Sequence, residues 1–206
     1  MLNPLTLALF LLSAAAAYLC GCINGAIMIS KVFFKDDVRA HGSGNAGLTN
    51  FYRNYGGRYA ALVIALDVVK MVLAVAIAGI LLGWSIEAKL WGGLFCALGH
   101  MFPVTYKFRG GKGILSCGTL LILLDWRAAV VAWGIFLLLS ALTRYVSLGS
   151  VVCSASAPIS VAIFYPGHSF ALLLVTVIAV LVIWAHRGNI KRLVKGTESK
   201  FHFKKS

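Results

Sequence analysis

Apolar residues run along this chain in long blocks, at about 5–33, 59–83, 88–105, 113–124, 127–143, 147–165 and 167–186, separated by short polar segments. A helix needs about 20 apolar residues to cross a bilayer, with a range of roughly 17–25. The pattern therefore predicts an all-α integral membrane protein with about seven transmembrane helices. The block at 113–124 is shorter, and predicts a half-helix or a short span shielded by its neighbours.

The composition leaves no room for a soluble alternative. The 206 residues are 60% hydrophobic and 12% charged, with mean hydropathy +0.89. A soluble domain of this size could not hide that much apolar surface from water. A single membrane domain over 1–206 is predicted, with a basic tail at about 187–206 that includes Lys191, Arg192, Lys195, Lys200, Lys204 and Lys205. The net charge of +13 would suggest nucleic acid in a soluble protein, but here Lys and Arg lie between apolar blocks. That is the positive-inside pattern, reinforced by attraction to anionic lipid and to an anionic substrate. Seven passes place segments 34–58, 106–112, 144–146 and the tail on one face. With Lys31 that face holds 16 of the 19 basic residues, leaving Lys89 and Arg127 opposite and Lys70 inside a span. The predicted N-terminus is outside and the C-terminus cytoplasmic.

Cys20, Cys22, Cys96, Cys117 and Cys153 lie in or beside apolar blocks without a His or carboxylate set near them, so buried free thiols and no metal or cofactor are predicted. Residues 14–22 loosely resemble a lipoprotein cleavage box, but no Lys or Arg precedes Lys31. Residues 5–33 are therefore read as one retained span.

Three polar segments carry the chemistry. The first runs from His41 to Arg53 and holds Ser43, Gly44, Asn45, Gly47, Thr49 and Asn50, with no Asp or Glu from 38 to 66. Glycine permits backbone N–H groups to turn inward as an anion-binding nest, and Arg53 can fork two bonds onto a phosphate. The second, Tyr106 to Gly113, sets Lys107, Arg109 and Lys112 among Gly110, Gly111 and Gly113. It lacks the Walker spacing, which disfavours nucleotide hydrolysis. What remains is a glycine-lysine turn opening a helix, where free N–H groups favour an anion. His100 and Pro103 are placed to orient that turn. The third segment carries His186 and Asn189, which share a face if the last helix continues. Ser147 and Ser150 lie at the start of the sixth block and serve equally well as helix caps. Within the second block, Asp67 and Lys70 are costly unless paired, and predict a mutual ion pair.

Taken together, Ser43-Gly44-Asn45-x-Gly47-x-Thr49-Asn50-x-x-Arg53, Gly110-Gly111-Lys112-Gly113 and His186-x-x-Asn189-Ile190-x-Arg192-Leu193 closely resemble the acyl-phosphate:glycerol-3-phosphate acyltransferases of the PlsY type, in the same order and spacing. Asp67-x-x-Lys70, Gly99-His100-x-Phe102-Pro103 and Ser147-x-Gly149-Ser150 extend the similarity over about residues 15–195. The family usually has Pro at Ala46, Ala at Leu48 and Gly at Met71; these departures alter loop rigidity and packing but leave each phosphate donor in place.

The resemblance implies a small bacterial inner-membrane enzyme, active on the cytoplasmic side, with glycerol 3-phosphate, acyl phosphate and membrane lipids as partners and no nucleic acid. It further implies transfer of a fatty acyl group to the 1-hydroxyl of glycerol 3-phosphate, giving lysophosphatidic acid, and a monomeric state. Ser43, Arg53, Lys112 and His186 are the expected catalytic residues. Gly44, Asn45, Gly47, Thr49, Asn50, Gly111, Gly113, Ser147, Ser150 and Asn189 are expected to hold substrate. The alternative from another class is a small organic-phosphate transporter, but neither the Ser-Gly-Asn nor the Gly-Gly-Lys-Gly segment recurs as a transporter repeat would predict.

Overall fold

The computed structural model describes residues 3–201, and among these it contains helices and no strand. Lys204 and Lys205 of the basic tail lie outside the described residues. The helices are α1 (Pro4–Cys22), α2 (Gly25–Phe34), α3 (Leu48–Tyr55), α4 (Ala60–Leu82), α5 (Ile86–Met101), α6 (Ile114–Leu124), α7 (Trp126–Thr143), α8 (Val146–Phe164), α9 (Ser169–Ala185) and α10 (Arg187–Val194). Four of them, α1, α4, α7 and α8, are long and apolar enough to cross a membrane, and the pair α9 and α10, bent by 56°, makes a fifth. The expected count of about seven also takes in α5, with 16 residues, and α6, with 11.

The apolar block at 5–33, expected as one span, is two helices. The chain leaves helical geometry at Ile23 and Asn24 because the buried Asn24 side chain caps α2, accepting from the Ile27 amide at 3.0 Å. Its Nδ2 donates to the Ala46 carbonyl at 3.1 Å, so the break also fastens the first polar loop.

Internal packing divides the chain, expected as one domain, into two compact units, Met1–Leu120 and Leu121–Ser206. In the first, α1, α4 and α5 pack on one another while α2 and α3 lie against α4. Helices α1 and α5 approach closely at Gly21 and Gly99. A Cβ added there would fall against the Cys96 or Tyr18 carbonyl, so only glycine admits this crossing. In the second unit, α8 packs against α7 and α9, and α10 touches both α8 and α9. Asp125 caps α7 and binds both the Arg127 guanidinium, at 2.7 Å, and the Tyr165 hydroxyl, at 2.9 Å. Large side chains such as Leu11, Ile80, Leu142 and Ile163 point outward. A surface this apolar is suited to lipid as solvent.

Candidate active site

The first polar loop is organised by one buried side chain. Asn50 Nδ2 lies 3.0, 3.1 and 3.0 Å from the carbonyls of Val38, His41 and Asn45, while its Oδ1 accepts from the Ser43 amide at 3.0 Å and from Asn54 at 3.2 Å. These bonds curl residues 41–45 into a turn, with Gly42 and Gly44 in the left-handed region at φ +56° and +69°. Asn50, expected to hold substrate, thus directs its amide to the loop itself. Ser43 and Gly44 are exposed on that turn, and Asn45 is half-buried. Gly47 caps α3, Thr49 lies in its first turn, and Arg53 is half-buried near its end. Phe51 locks α3 into a core made with Ala26, Ile27, Val38, Ala46 and Val63.

The second loop follows α5 through a short 3-10 turn, Val104–Tyr106. The amides of Gly110 and Gly111 donate to the carbonyls of Met101 and His100, both at 3.1 Å. A Cβ at Gly110 would collide with the His100 carbonyl, and one at Gly111 would lie 2.5 Å from the Ala46 carbonyl and against the His100 ring. Glycine at 111 is therefore what lets the second loop touch the first. Gly113, at φ +79°, accepts from the Cys117 amide at 2.8 Å and opens α6. Lys112 is half-buried between two buried glycines.

Beneath this turn lies a buried polar chain. Lys70 Nζ is 2.7 Å from Asp67 Oδ1, 2.9 Å from the Ile23 carbonyl and 2.6 Å from His100 Nδ1. An ammonium only donates, so His100 Nδ1 accepts and the ring proton sits on Nε2, the nitrogen facing Gly111. Asp67 and Lys70 form the mutual ion pair expected of them, and the pair reaches the glycine-lysine turn through His100. The carbonyl freed by the break at Ile23 is the ammonium's third partner.

In the second unit His186 sits at the bend between α9 and α10. The condition for His186 and Asn189 to share a face, a continuing helix, is not met, because the chain turns by 56° there; both side chains are buried nevertheless. His186 Nδ1 donates to the Val182 carbonyl at 2.8 Å. Ser147 Oγ and Asn189 Nδ2 both donate to Glu198 Oε1, at 2.7 and 2.6 Å, and Arg192 Nε donates to Oε2 at 2.7 Å. Ser150 is buried and donates to the Val146 carbonyl of its own helix at 2.8 Å.

Glu198 is a hub that sequence reasoning missed, although it is the sole carboxylate in the basic stretch 187–206. Burial pushes its carboxyl up, but bonds from Asn189, Ser147 and Arg192 outweigh this and hold it below its ordinary value. A depressed carboxylate contributes stability above its unfolded pKa and loses it as pH falls through the folded one. Glu198→Ala is expected to lower the thermal unfolding midpoint in detergent at pH 7 by about 5 °C. The gap to the parent should close as pH drops below about 4. Equal midpoints at pH 7 would remove the hub role. Asn24 and Asp36 were missed as well. Asp36 accepts from the Tyr55 hydroxyl at 2.8 Å and pairs with His41 at 2.7 Å, which the sequence signals only as a carboxylate bordering the acid-free loop.

Known proteins resemble this chain over most of its length. The family model described as glycerol-3-phosphate acyltransferase matches residues 11–196. A glycerol-3-phosphate acyltransferase of Thermoanaerobacter pseudethanolicus is 42% identical, over 92% of this chain and 94% of its own. One from Pseudomonas putida is 36% identical, over 94% of this chain and 100% of its own. The crystal structure of PlsY (YgiH), an integral membrane glycerol 3-phosphate acyltransferase, in its glycerol 3-phosphate form superposes with TM-score 0.86 at 34% identity, covering 94% of this chain and 96% of that one. Its lysophosphatidic acid form gives 0.83 at the same identity. No match among these points to a transporter. The chain belongs to the glycerol-3-phosphate acyltransferase family of integral membrane proteins, of the PlsY type.

Proposed function

We propose that this protein transfers a fatty acyl group from acyl phosphate to the 1-hydroxyl of glycerol 3-phosphate, releasing phosphate and lysophosphatidic acid, the first step of phospholipid synthesis. It acts as a monomer in the bacterial inner membrane with seven passes, its N-terminus outside and its chemistry on the cytoplasmic face. The observation that carries this reading is the contact of the two glycine-rich loops in the first unit. Gly111 rests on the Ala46 carbonyl, which joins the loop bearing Ser43 and Arg53 to the loop bearing Lys112.

Both substrates carry phosphate, so the site must offer clustered cations and N–H donors. In the first unit Arg53 and Lys112 hold glycerol 3-phosphate, with Asn50 shaping the turn that precedes α3. Ser43 and Gly44, exposed on the first loop, serve the acyl phosphate. An acyl phosphate is a mixed anhydride, already activated for attack, so positioning and charge stabilisation supply most of the barrier reduction. The glycerol hydroxyl oxygen adds to the acyl carbon, the bond from that carbon to the phosphate oxygen breaks, and the departing phosphate takes up the hydroxyl proton. Neither a Ser-His-Asp set nor an activated cysteine is needed.

The test is reconstitution in liposomes with labelled glycerol 3-phosphate and either palmitoyl phosphate or palmitoyl-CoA. Labelled lysophosphatidate is expected from the acyl phosphate only. Product from palmitoyl-CoA alone would overturn the donor, and label accumulating inside the vesicles without product would overturn the reaction.

A further inference from the structure

The turn that leads into the glycine-lysine loop is unusual in having two consecutive non-glycine residues in the left-handed region, Lys107 and Phe108, each at φ +57°. Such residues are disfavoured sterically and persist only where their surroundings impose them. Backbone bonds close the turn, from the Phe108 amide to the Pro103 carbonyl at 2.9 Å and from the Arg109 amide to the Tyr106 carbonyl at 3.2 Å, and one side chain in the other loop braces it from outside. Arg39 Nη1 donates to the Tyr106 carbonyl and to the Arg109 carbonyl, both at 3.0 Å. Those two carbonyls flank the strained pair on either side. The guanidinium is itself fixed from behind: Asp37 takes Nε at 2.9 Å and Nη2 at 2.7 Å as a fork, and also caps the short turn that carries Arg39 by accepting its amide at 3.0 Å. The Arg39 plane also lies over the Tyr106 ring at 5.6 Å.

We propose that Arg39, held by Asp37, is a positioning residue that clamps the 107–108 turn and thereby sets Gly110 to Lys112 for phosphate binding. This rests on the assignment of that loop to glycerol 3-phosphate. Arg39 lies in the same loop as Ser43 and Asn45, so the clamp also fixes the spacing of the two loops at the end opposite the contact of Gly111 with Ala46. A lysine cannot replace it, because a single ammonium lacks the planar fork for Asp37 together with a further N–H reaching both carbonyls.

The clamp predicts how the kinetics divide. Without it the loop populates its binding-competent shape only part of the time, and apparent affinity falls by that fraction. Once substrate is bound the loop is ordered again and chemistry proceeds. Arg39→Ala and Arg39→Lys are each expected to raise the KM for glycerol 3-phosphate about tenfold, while kcat falls less than threefold. Glycine adopts φ near +57° without strain, so, with Lys107→Gly plus Phe108→Gly as its own reference, adding Arg39→Ala should raise KM by less than half as much on a logarithmic scale as it does in the parent.

Initial rates across glycerol 3-phosphate concentrations, with thermal unfolding of each purified variant alongside, decide the matter. An unchanged KM in both Arg39 variants, or a KM defect that the glycine pair leaves untouched, overturns the clamp. If Arg39→Ala does not fold, Arg39→Lys with and without the glycine pair gives the same reading. Lys112→Ala is the control for the underlying assignment. Wild-type kinetics in Lys112→Ala would fail the loop's role in binding, whereas loss in Lys112→Ala with none in the Arg39 variants would fail the clamp alone.

Discussion

Lys112→Ala and Arg53→Ala are each expected to lower turnover by about 100-fold or more, the scale of losing one preorganised donor aimed at developing charge. Glycerol 3-phosphate arrives as a dianion, and the attack drives further negative charge onto the departing phosphate. Lys112 stands half-buried between Gly111 and Gly113, in a turn whose shape is set by the amides of Gly110 and Gly111 and by the His100 ring. A cation held there needs no reorganisation when charge develops. Arg53 is carried by α3, which Phe51 and Asn50 fix to the core and to the loop. Its planar fork should matter beyond its charge, so Arg53→Lys is expected to recover only part of the loss. Initial rates of lysophosphatidate formation measure both. Activity within threefold of the parent for the two alanine variants would sink the assignment of these residues.

Much of this was legible in the sequence because it depends on residue type at fixed spacing. Apolar blocks marked the helices, and glycine beside lysine marked a turn, although its close approach to the His100 and Ala46 backbone appears only in the structure. The Asp67 and Lys70 pair followed from the cost of isolated charge in an apolar helix. What remained hidden depends on contacts distant in sequence or on a local break that hydropathy does not register. Asn24 reads as one polar residue within a long apolar block, yet it ends α1, starts α2 and holds Ala46. Arg39 reads as one more positive-inside charge until its two carbonyl partners, nearly 70 residues away, are seen. His186 and Asn189 were placed on one face only if the helix continued, and the lone Gly188 was too weak a signal to announce the bend.

The second large effect concerns stability. Lys70 and Asp67 are both almost fully buried, and removing one partner leaves an uncompensated charge in a low-dielectric interior, a cost of about 3–5 kcal/mol. Lys70→Met is therefore expected to accumulate poorly, or to unfold in detergent about 6–20 °C below the parent, on the order of 2–4 °C per kcal/mol for a chain of this size. Removing both charges together in Asp67→Asn with Lys70→Met should restore most of the lost stability, since replacing a buried pair by uncharged groups is often near neutral. Activity should not return with it. The Lys70 ammonium is what makes His100 Nδ1 an acceptor and keeps the ring proton on Nε2 beneath Gly111. Without that donor the proton is released to move to Nδ1, and the support under the glycine-lysine turn changes. A double variant that is stable yet slow would separate the pairing energy from the positioning of the loop. Parent-like stability in Lys70→Met alone would show that the pair is not confined as the geometry requires, while a double variant with full activity would detach His100 from the turn it touches.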